Sequence, residues 1–213
     1  MAFALNRKLW RNLQDYGLRA TLHKGAAYVV NPVWSTRVYR IYRKDLSDAS
    51  PGEAPEVPGL TFRILTPEDH DAIGQIEERH EWLRGQLKAK LEAGGLCLAA
   101  FAGDTLAGFN LIGFGSVRIP LLEMTRRFRP GDAWSEHIAV EKDRRHTGLA
   151  SHLRHRIFAE LRQRGYRRLY GGTLRSNVAS LGLARKVGCR EIVDIRHLRL
   201  LGQGTWRYRR VTR

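Results

Sequence analysis

The sequence predicts an α/β (α+β) protein in which helices pack on a β-sheet, and three observations support this fold class. Between residues 134 and 211, segments with the apolar pattern of strands alternate with segments of helical periodicity. Two apolar runs, 96–102 and 105–114, are joined by Gly103 and Asp104, which predicts a hairpin of antiparallel core strands. Finally, 43% of the 213 residues are hydrophobic, which is enough apolar material for a sizeable core.

The N-terminal part of the chain is predicted to be a basic extension over residues 1–46. Apolar residues recur there at three- and four-residue intervals, which predicts an amphipathic helix over 5–16. The segment 37–42 (RVYRIY) predicts a strand. Residues 47–59 contain three prolines, two glycines and three acids and are therefore expected to form a linker.

The main domain is expected to span residues 60–213. A strand at 61–65 precedes Thr66, which is predicted to cap a helix that begins with proline and runs to about His80. A second helix is expected over 82–93, because two glycines follow it.

The rest of this domain is predicted from its turn residues and apolar periodicity. Residues 116–132 contain two prolines, a glycine and mixed charges, so we expect an irregular connection near a site for the acceptor substrate. Strands and helices then alternate, with strands near 134–140, 168–173, 191–200 and 205–211 and helices over 148–164 and 178–187.

The composition restricts the partners that the protein can have. Its 37 Lys and Arg against 21 Asp and Glu give a formal net charge of +16, which favours an anionic partner. A nucleic acid, a membrane surface, an acidic carrier protein and a phosphorylated cofactor all fit that charge. The sequence contains no zinc-finger spacing, no RNP-like strand and no basic region with heptads, which argues against nucleic acid.

The apolar segments and the cysteines predict where the protein resides. The longest nearly uncharged apolar stretch, 94–103, is half the roughly 20 residues that cross a bilayer, and charges interrupt the N-terminus too early for a signal peptide. We therefore expect no membrane span and a cytoplasmic location. Only Cys97 and Cys189 occur, so a disulfide scaffold or a four-cysteine metal site is excluded, and two reduced, buried thiols are expected.

The most informative segment is a strand followed by a basic, glycine-containing turn and a helix. The last six residues of the turn are Arg145, His146, Thr147, Gly148, Leu149 and Ala150. Apolar residues recur every four positions after Ala150, which places the turn at a helix N-terminus, where free N–H groups and the helix dipole favour an anion. Neither the dinucleotide pattern G-x-G-x-x-G nor the P-loop fits, because required glycines or the lysine are missing.

This turn matches [RQ]-x-x-G-x-[GA], and the chain from about residue 60 to 213 resembles the GNAT superfamily of acyl-CoA-dependent N-acyltransferases. A second stretch, which begins at Asn177, resembles the family pattern N-x-x-A-x-x-L-Y-x-K-x-G-[FY], with Leu183, Lys186 and Gly188 in register. The resemblance implies the GNAT fold, in which helices flank a mixed, mostly antiparallel sheet.

The resemblance also implies a reaction and its site. An amine attacks the thioester of acetyl-CoA or another acyl-CoA directly, without a covalent acyl-enzyme and without a metal. The turn binds the pyrophosphate of CoA, Asn177 contacts CoA, and the strand before the turn exposes main-chain groups of Ile138, Ala139 and Val140 to the pantetheine arm. A carboxylate on this strand is the common base of the family, and Glu136 is the candidate, since a regular strand would place it on the same face as Val140.

Several of these residues have an alternative, structural interpretation. Glu136 could be a solvated or arginine-paired acid, and Asn177 could only cap the following helix. His137 is expected to be structural, on the opposite face of a regular strand. The helix arginines Arg154, Arg156, Arg162 and Arg164 are expected on a solvated face.

One departure from the family pattern leaves the function partly open. Ala184 replaces the tyrosine that usually reprotonates the thiolate, so either another group does this or the thiolate leaves without help. Two alternatives to a CoA-dependent transferase therefore remain: acyl transfer from an acidic acyl carrier protein, and an inactive GNAT-like domain that binds RNA or ribosomes. The amine acceptor is not identified by the sequence, and a homodimer stays open.

Overall fold

The computed structural model describes residues 34–47, 57–200 and 203–211. The predicted helix over 5–16 and most of the predicted linker lie outside these residues. The described residues form a mixed α/β fold in which helices flank a central, mostly antiparallel sheet, which confirms the predicted fold class. None of the described helices is long and apolar enough to cross a membrane.

The described residues contain ten strands, four α-helices and three short 3-10 helices. The strands are β1 (Trp34–Asp45), β2 (Thr61–Leu65), β3 (Leu96–Ala102), β4 (Thr105–Phe114), β5 (Ser116–Ile119), β6 (Met124–Arg127), β7 (Asp132–Val140), β8 (Arg168–Leu174), β9 (Arg190–Leu200) and β10 (Gln203–Arg210). The α-helices are α1 (His70–Arg79), α2 (Leu87–Glu92), α3 (Leu149–Gln163) and α4 (Val178–Lys186), and the 3-10 helices are Glu81–Leu83, Pro120–Leu122 and Lys142–Arg144.

The chain divides into two compact units, and the larger one contains the described residues between 39 and 194 together with 209–211. Its sheet has the strand order β9-β1-β8-β7-β4-β3-β2, and β5 pairs with β6 in a separate hairpin. The β7–β8 pair is parallel, whereas β2–β3, β3–β4, β4–β7 and β1–β8 are antiparallel. In the smaller unit, β10 lies beside β9, and the rings of His197 and Trp206 stack with centroids 5.4 Å apart.

The two faces of the large sheet bury separate hydrophobic clusters. Along β3, Cys97 and Ala99 pack with α1 and α2, whereas Leu98 and Ala100 pack with α3 and α4. This alternation is the period of two that a strand shows when both of its faces are covered. Both cysteines are free and buried, as expected.

Three strand predictions match the structure closely, and the N-terminal strand is longer than predicted. The bounds of β2, β3 and β4 are those that the sequence predicts. The strand predicted at 37–42 extends over Trp34–Asp45 and pairs with the whole length of β8, from Tyr39 opposite Leu174 to Asp45 opposite Arg168. A strand of the basic extension thus takes part in the central sheet.

The predictions for the two helices before β3 are wrong in detail. Helix α1 begins at His70 rather than after Thr66, because the Asp69 carboxylate accepts the Thr66 N–H at 2.7 Å and closes a turn there. The helix predicted over 82–93 is divided at Gly85, whose φ of +68° is incompatible with a continuous helix. The Glu77 carboxylate accepts the N–H groups of Gly85 and Leu87, which fixes the start of α2.

The segment 116–132 is also more regular than predicted. It contains the β5–β6 hairpin, in which Ser116 lies opposite Arg127. Val117 and Ile119 are buried and Ser116 and Arg118 are exposed, so β5 has the alternation of a half-buried strand. Four residues of alternation between prolines and charges are too short a pattern to stand out in the sequence.

Candidate active site

A cavity of about 770 Å³ lies in the larger unit, where β7 and β8 separate. Their parallel pairing ends at Ser135 opposite Gly171, although β7 continues to Val140 and β8 to Leu174. On its other edge β7 stays paired with β4 as far as Val140 opposite Gly108. One edge of β7 therefore has no partner strand among the described residues from Glu136 onward, and its main-chain groups can bind a ligand.

A β-bulge in β7 determines which side chains enter this cavity. Ile112 lies opposite Ser135 and Leu111 opposite His137, so Glu136 is the extra residue of the bulge. The strand is therefore not regular at this point, and the expected placement of Glu136 and His137 on opposite faces is wrong. Both side chains line the cavity, together with Ile138.

The carboxylate of Glu136 is buried and ion-paired. Its side chain is 9% exposed, and the Lys90 ammonium of α2 donates to Oε2 at 2.5 Å. The partner of Glu136 is thus a lysine and not the arginine of the alternative interpretation, and this lysine also lines the cavity. This pair fixes the orientation of the carboxylate beside the cavity.

His137 packs against Trp82, with ring centroids 3.7 Å apart. Burial, with smaller contributions from the charges of Lys90 and His80, lowers the pKa of His137 to about 3. The imidazole is therefore neutral at pH 7 and can accept or donate a hydrogen bond without carrying charge.

Two further segments of the chain line the cavity. The region around α2 contributes Trp82, Leu83, Gln86 and Lys90. The end of β5 and the 3-10 helix that follows it contribute Arg118, Ile119, Pro120 and Leu121. Residues of the segment that the sequence analysis associated with the acceptor substrate therefore line the cavity.

The turn after β7 forms the start of α3, as predicted. Gly148 is the N-cap residue, with φ of +86°, and a Cβ atom there would meet nothing within 4 Å. His146 also has a positive φ, +66°, and the Thr147 hydroxyl donates to the Arg144 carbonyl at 2.7 Å. Arg145 Nε donates to the Val140 carbonyl at 3.3 Å, which links the turn to the end of β7.

This geometry offers an anion the N-terminus of a 15-residue helix. The N–H groups of the first turn have no partner inside the helix, and the helix dipole is positive at this end. Leu149 is buried and anchors the helix, whereas Arg145, His146, Thr147 and Gly148 are exposed. The exposed turn, the half-buried Ala150 and the free edge of β7 at Ile138, Ala139 and Val140 follow one another along the chain and can bind one elongated ligand.

Asn177 is the N-cap of α4, and its side-chain oxygen accepts the Ser180 N–H at 3.1 Å. Asn177 therefore caps the helix that follows it, as its structural interpretation predicted. Its side chain is exposed, and Ser180, Leu183 and Ala184 of the same helix segment line the cavity.

Two tyrosines of β1 line the cavity together with Ala184, the residue at the position of the family tyrosine. The Tyr39 hydroxyl donates to the Gly172 carbonyl at 2.7 Å, and the Tyr42 hydroxyl accepts from Arg154 Nη2 at 3.3 Å. Burial raises the pKa of both tyrosines, so both are protonated at neutral pH. Sequence reasoning missed them because they precede the segment that carries the family motifs.

Arg154 is the largest departure from the expected site. We expected it on a solvated helix face, but it is 3% exposed and lines the cavity. It precedes Phe158 by four residues and Leu161 by seven, which places it on the buried face of α3. That spacing is the sequence signal that could have identified it.

Comparison with known proteins gives one family and a set of similar structures. The sequence model of the Acetyltransferase (GNAT) family matches residues 61–189. A search of curated proteins gave no match.

Three solved structures illustrate the likeness. A GCN5-related N-acetyltransferase from Sphaerobacter thermophilus is 17% identical, with a TM-score of 0.57; the match covers 85% of this chain and 58% of that chain. The glucosamine N-acetyltransferase region of a fungal multi-domain GH3 β-N-acetylglucosaminidase is 14% identical over 86% of this chain and 23% of that chain, with a TM-score of 0.59. A tandem GNAT protein from the clavulanic acid biosynthesis pathway is 16% identical over 79% and 55%, with a TM-score of 0.54. At these identities the likeness concerns the fold.

Proposed function

Because the chain belongs to the GNAT acetyltransferase family, we propose that it transfers an acyl group, most simply acetyl, from acyl-CoA to a primary amine. One observation carries the proposal: the free edge of β7 leads directly into the N-terminus of α3. A strand edge and a helix N-terminus in sequence suit a ligand with an amide-containing arm and a pyrophosphate.

The chain's own residues supply both parts of this ligand site. The turn from Arg145 to Ala150 would hold the pyrophosphate mainly through N–H groups. The space beside Gly148 is open, since a Cβ atom there would meet nothing within 4 Å, so a phosphate could approach the backbone closely. Main-chain groups of Ile138, Ala139 and Val140 would hydrogen-bond the pantetheine arm. Asn177 would add a polar contact through its exposed side-chain amide.

The reaction would then take place at the bulge of β7. The amine nitrogen forms a bond with the thioester carbonyl carbon, the carbon–sulfur bond breaks, and the products are an amide and CoA. Glu136 is the candidate base that takes the amine proton, directly or through water, and Lys90 orients its carboxylate. A free N–H of β7 is the candidate donor to the carbonyl oxygen.

The departure of the thiolate does not require the tyrosine that Ala184 replaces. A thiol has a pKa of about 8.5, so its thiolate is a modest base that can leave without prior protonation. With alanine at position 184, the thiolate would therefore leave without a proton from this position, and CoA would still be held by the turn before α3 and the edge of β7.

Titration calorimetry with CoA and with acetyl-CoA tests this function, together with mass spectrometry of CoA species that co-purify with the protein. We expect binding in the micromolar range and release of free thiol when acetyl-CoA is supplied with a suitable member of a panel of primary amines. No detectable CoA binding by the full chain would remove the proposal.

A further inference from the structure

The lining of the cavity contains a buried cation that the proposed transfer reaction does not use. Arg154 of α3 is 3% exposed, and its guanidinium points to the place where β7 and β8 separate. Nη1 donates to the Ser135 hydroxyl at 2.6 Å and Nη2 to the Tyr42 hydroxyl at 3.3 Å. These hydrogen bonds use two of the five N–H donors of the guanidinium. Both partners are neutral, so neither of them compensates its positive charge.

No carboxylate among the described residues forms an ion pair with Arg154. The acid that shares its cavity, Glu136, is paired with Lys90 instead. Burying an arginine without a counter-charge is costly, and proteins ordinarily pair such a group. An anion that enters the cavity would supply the missing partner.

The surrounding residues hold the guanidinium in place. Tyr42, Gly171 and Ser135 occupy one row across β1, β8 and β7. A Cβ atom at Gly171 would lie 2.6 Å from Cε2 of Tyr42, so the glycine is what allows the tyrosine ring to cross β8. The Ser135 hydroxyl in turn donates to Oδ1 of the fully buried Asn110 at 3.5 Å. Arg154 is thus held by side chains from two strands while it lines the cavity.

We propose that Arg154 binds a carboxylate of the ligand, so that this cavity selects a reactant that carries its own acid group. The inference rests on the proposed acyl transfer and names the substrate class. Arginine is suited to this task because its planar fork binds a carboxylate through two hydrogen bonds. The carboxylate belongs either to the acyl group, as in a dicarboxylic acyl thioester, or to the amine, as in an amino acid.

Two binding measurements on the full chain distinguish these sources. In the first, calorimetry compares succinyl-CoA with butyryl-CoA, whose acyl groups have equal carbon counts and differ in the terminal carboxylate. In the second, binding of α-amino acids is compared with that of their primary amides in the presence of saturating CoA. We expect a preference of at least about tenfold for the carboxylate in one of the two comparisons.

Variants of Arg154 connect that preference to the guanidinium. Arg154→Met should abolish the preference, leave the affinity for free CoA within about twofold, and keep or raise Tm, because an uncompensated buried charge has been replaced by an apolar chain. Arg154→Lys keeps the charge without the fork and should retain part of the preference. The matched control is Arg162→Met, which removes the same charge from the same helix away from the cavity and should leave the preference unchanged.

The outcomes separate this inference from the proposed function. Wild-type protein that binds CoA but shows no carboxylate preference in either comparison overturns the inference alone. A preference that survives in Arg154→Met does the same. If neither variant of Arg154 folds, Arg154 is a structural residue and the inference fails. Absence of CoA binding by the wild type overturns the proposed function and the inference together.

Discussion

Gly113 of β4 faces the carboxylate of Glu136 so closely that a side chain at this position would collide with it. A Cβ atom at Gly113 would overlap Oε1 of Glu136 and lie 2.9 Å from Cγ2 of Val117. The bulge that brings Glu136 into the cavity and the glycine that leaves room for its carboxylate therefore act together.

Gly113→Ala is predicted to displace the Glu136 carboxylate while leaving the turn before α3 intact. We expect turnover of acetyl-CoA with an accepted amine to fall roughly 10- to 100-fold, because a displacement of about 1 Å has effects of that size. The affinity for CoA should not change. Gly74→Ala is the control, since a Cβ atom there meets nothing within 4 Å and α1 should tolerate it. Unchanged turnover in Gly113→Ala would show that the carboxylate position is not important.

Glu136→Gln tests the proposed base more directly. We expect turnover at neutral pH to decrease by about two to four orders of magnitude, with partial recovery at high pH as the amine loses its proton without help. Binding of CoA should be nearly unaffected. Glu160→Gln is the matched control, because Glu160 of α3 is an acid that pairs with Arg164 and does not line the cavity. Wild-type turnover in Glu136→Gln would place the base elsewhere, on water or on a residue of the segment 116–132.

Two substitutions at Gly148 separate backbone strain from loss of the proposed phosphate site. Both Ala and Glu are strained at φ of +86°, but only Glu adds bulk and negative charge. CoA at a hundredfold excess over Kd should stabilise the wild type by about 2.7 kcal/mol, which is roughly 5–10 °C in Tm. This shift should persist in Gly148→Ala and disappear in Gly148→Glu. An equal shift in both variants would contradict the assignment of this turn.

The buried imidazole of His137 predicts a loss of stability in acid. Burial lowers its pKa to about 3, below the ordinary value near 6.5 that applies in the unfolded chain, so between these values the unfolded state binds the proton. The contribution of His137 to the free energy of unfolding is therefore fully present above about pH 6.5. It is lost as the pH falls toward 3, by up to about 1.4 kcal/mol per pH unit. Burial also lowers the pKa of His80 and of His155, which add slopes of the same sign. His137→Gln should therefore make the slope between pH 6.5 and 5 shallower by the contribution of one group, whereas His70→Gln, at an exposed site, should leave it unchanged. The free energy of urea unfolding measured across this range tests the difference.

The parts of the fold that were predictable from sequence are those specified by neighbouring residues. The β3–β4 hairpin follows from two apolar runs around Gly103, and the start of α3 follows from a glycine turn before apolar residues spaced by four. Both signals are local, because the strand and helix periods are local properties of the backbone.

The features that sequence reasoning missed depend on partners that are distant along the chain. The bulge at Glu136 is set by the register against Leu111 and Ile112, about 25 residues earlier, which the sequence of β7 does not reveal. The side chain of Tyr42 reaches the cavity because β1 pairs with β8 across a glycine about 130 residues later. Long-range pairing therefore decides which side chains reach the cavity, whereas the turn that we propose as the phosphate site is built by local sequence.

Salt dependence separates a CoA-dependent enzyme from a nucleic-acid binder. Binding that neutralises six to ten phosphates should weaken by about 10³ to 10⁵ between 50 and 200 mM salt. A CoA site held largely by N–H groups at the start of α3 should weaken far less, because those dipoles are fixed and few counterions are released. We therefore expect micromolar CoA binding that survives 200 mM salt, and RNA or DNA binding that is weak, independent of sequence and lost over that range.

The arginines support this expectation: those of α3 project from a helix surface or into the cavity, and several pair with acids, as Arg40 does with Asp194 and Arg164 with Glu160. Titrations of labelled RNA and of CoA at both salt concentrations give the measurement. Tight, salt-resistant RNA binding together with undetectable CoA binding would reverse the assignment and favour an RNA-binding module.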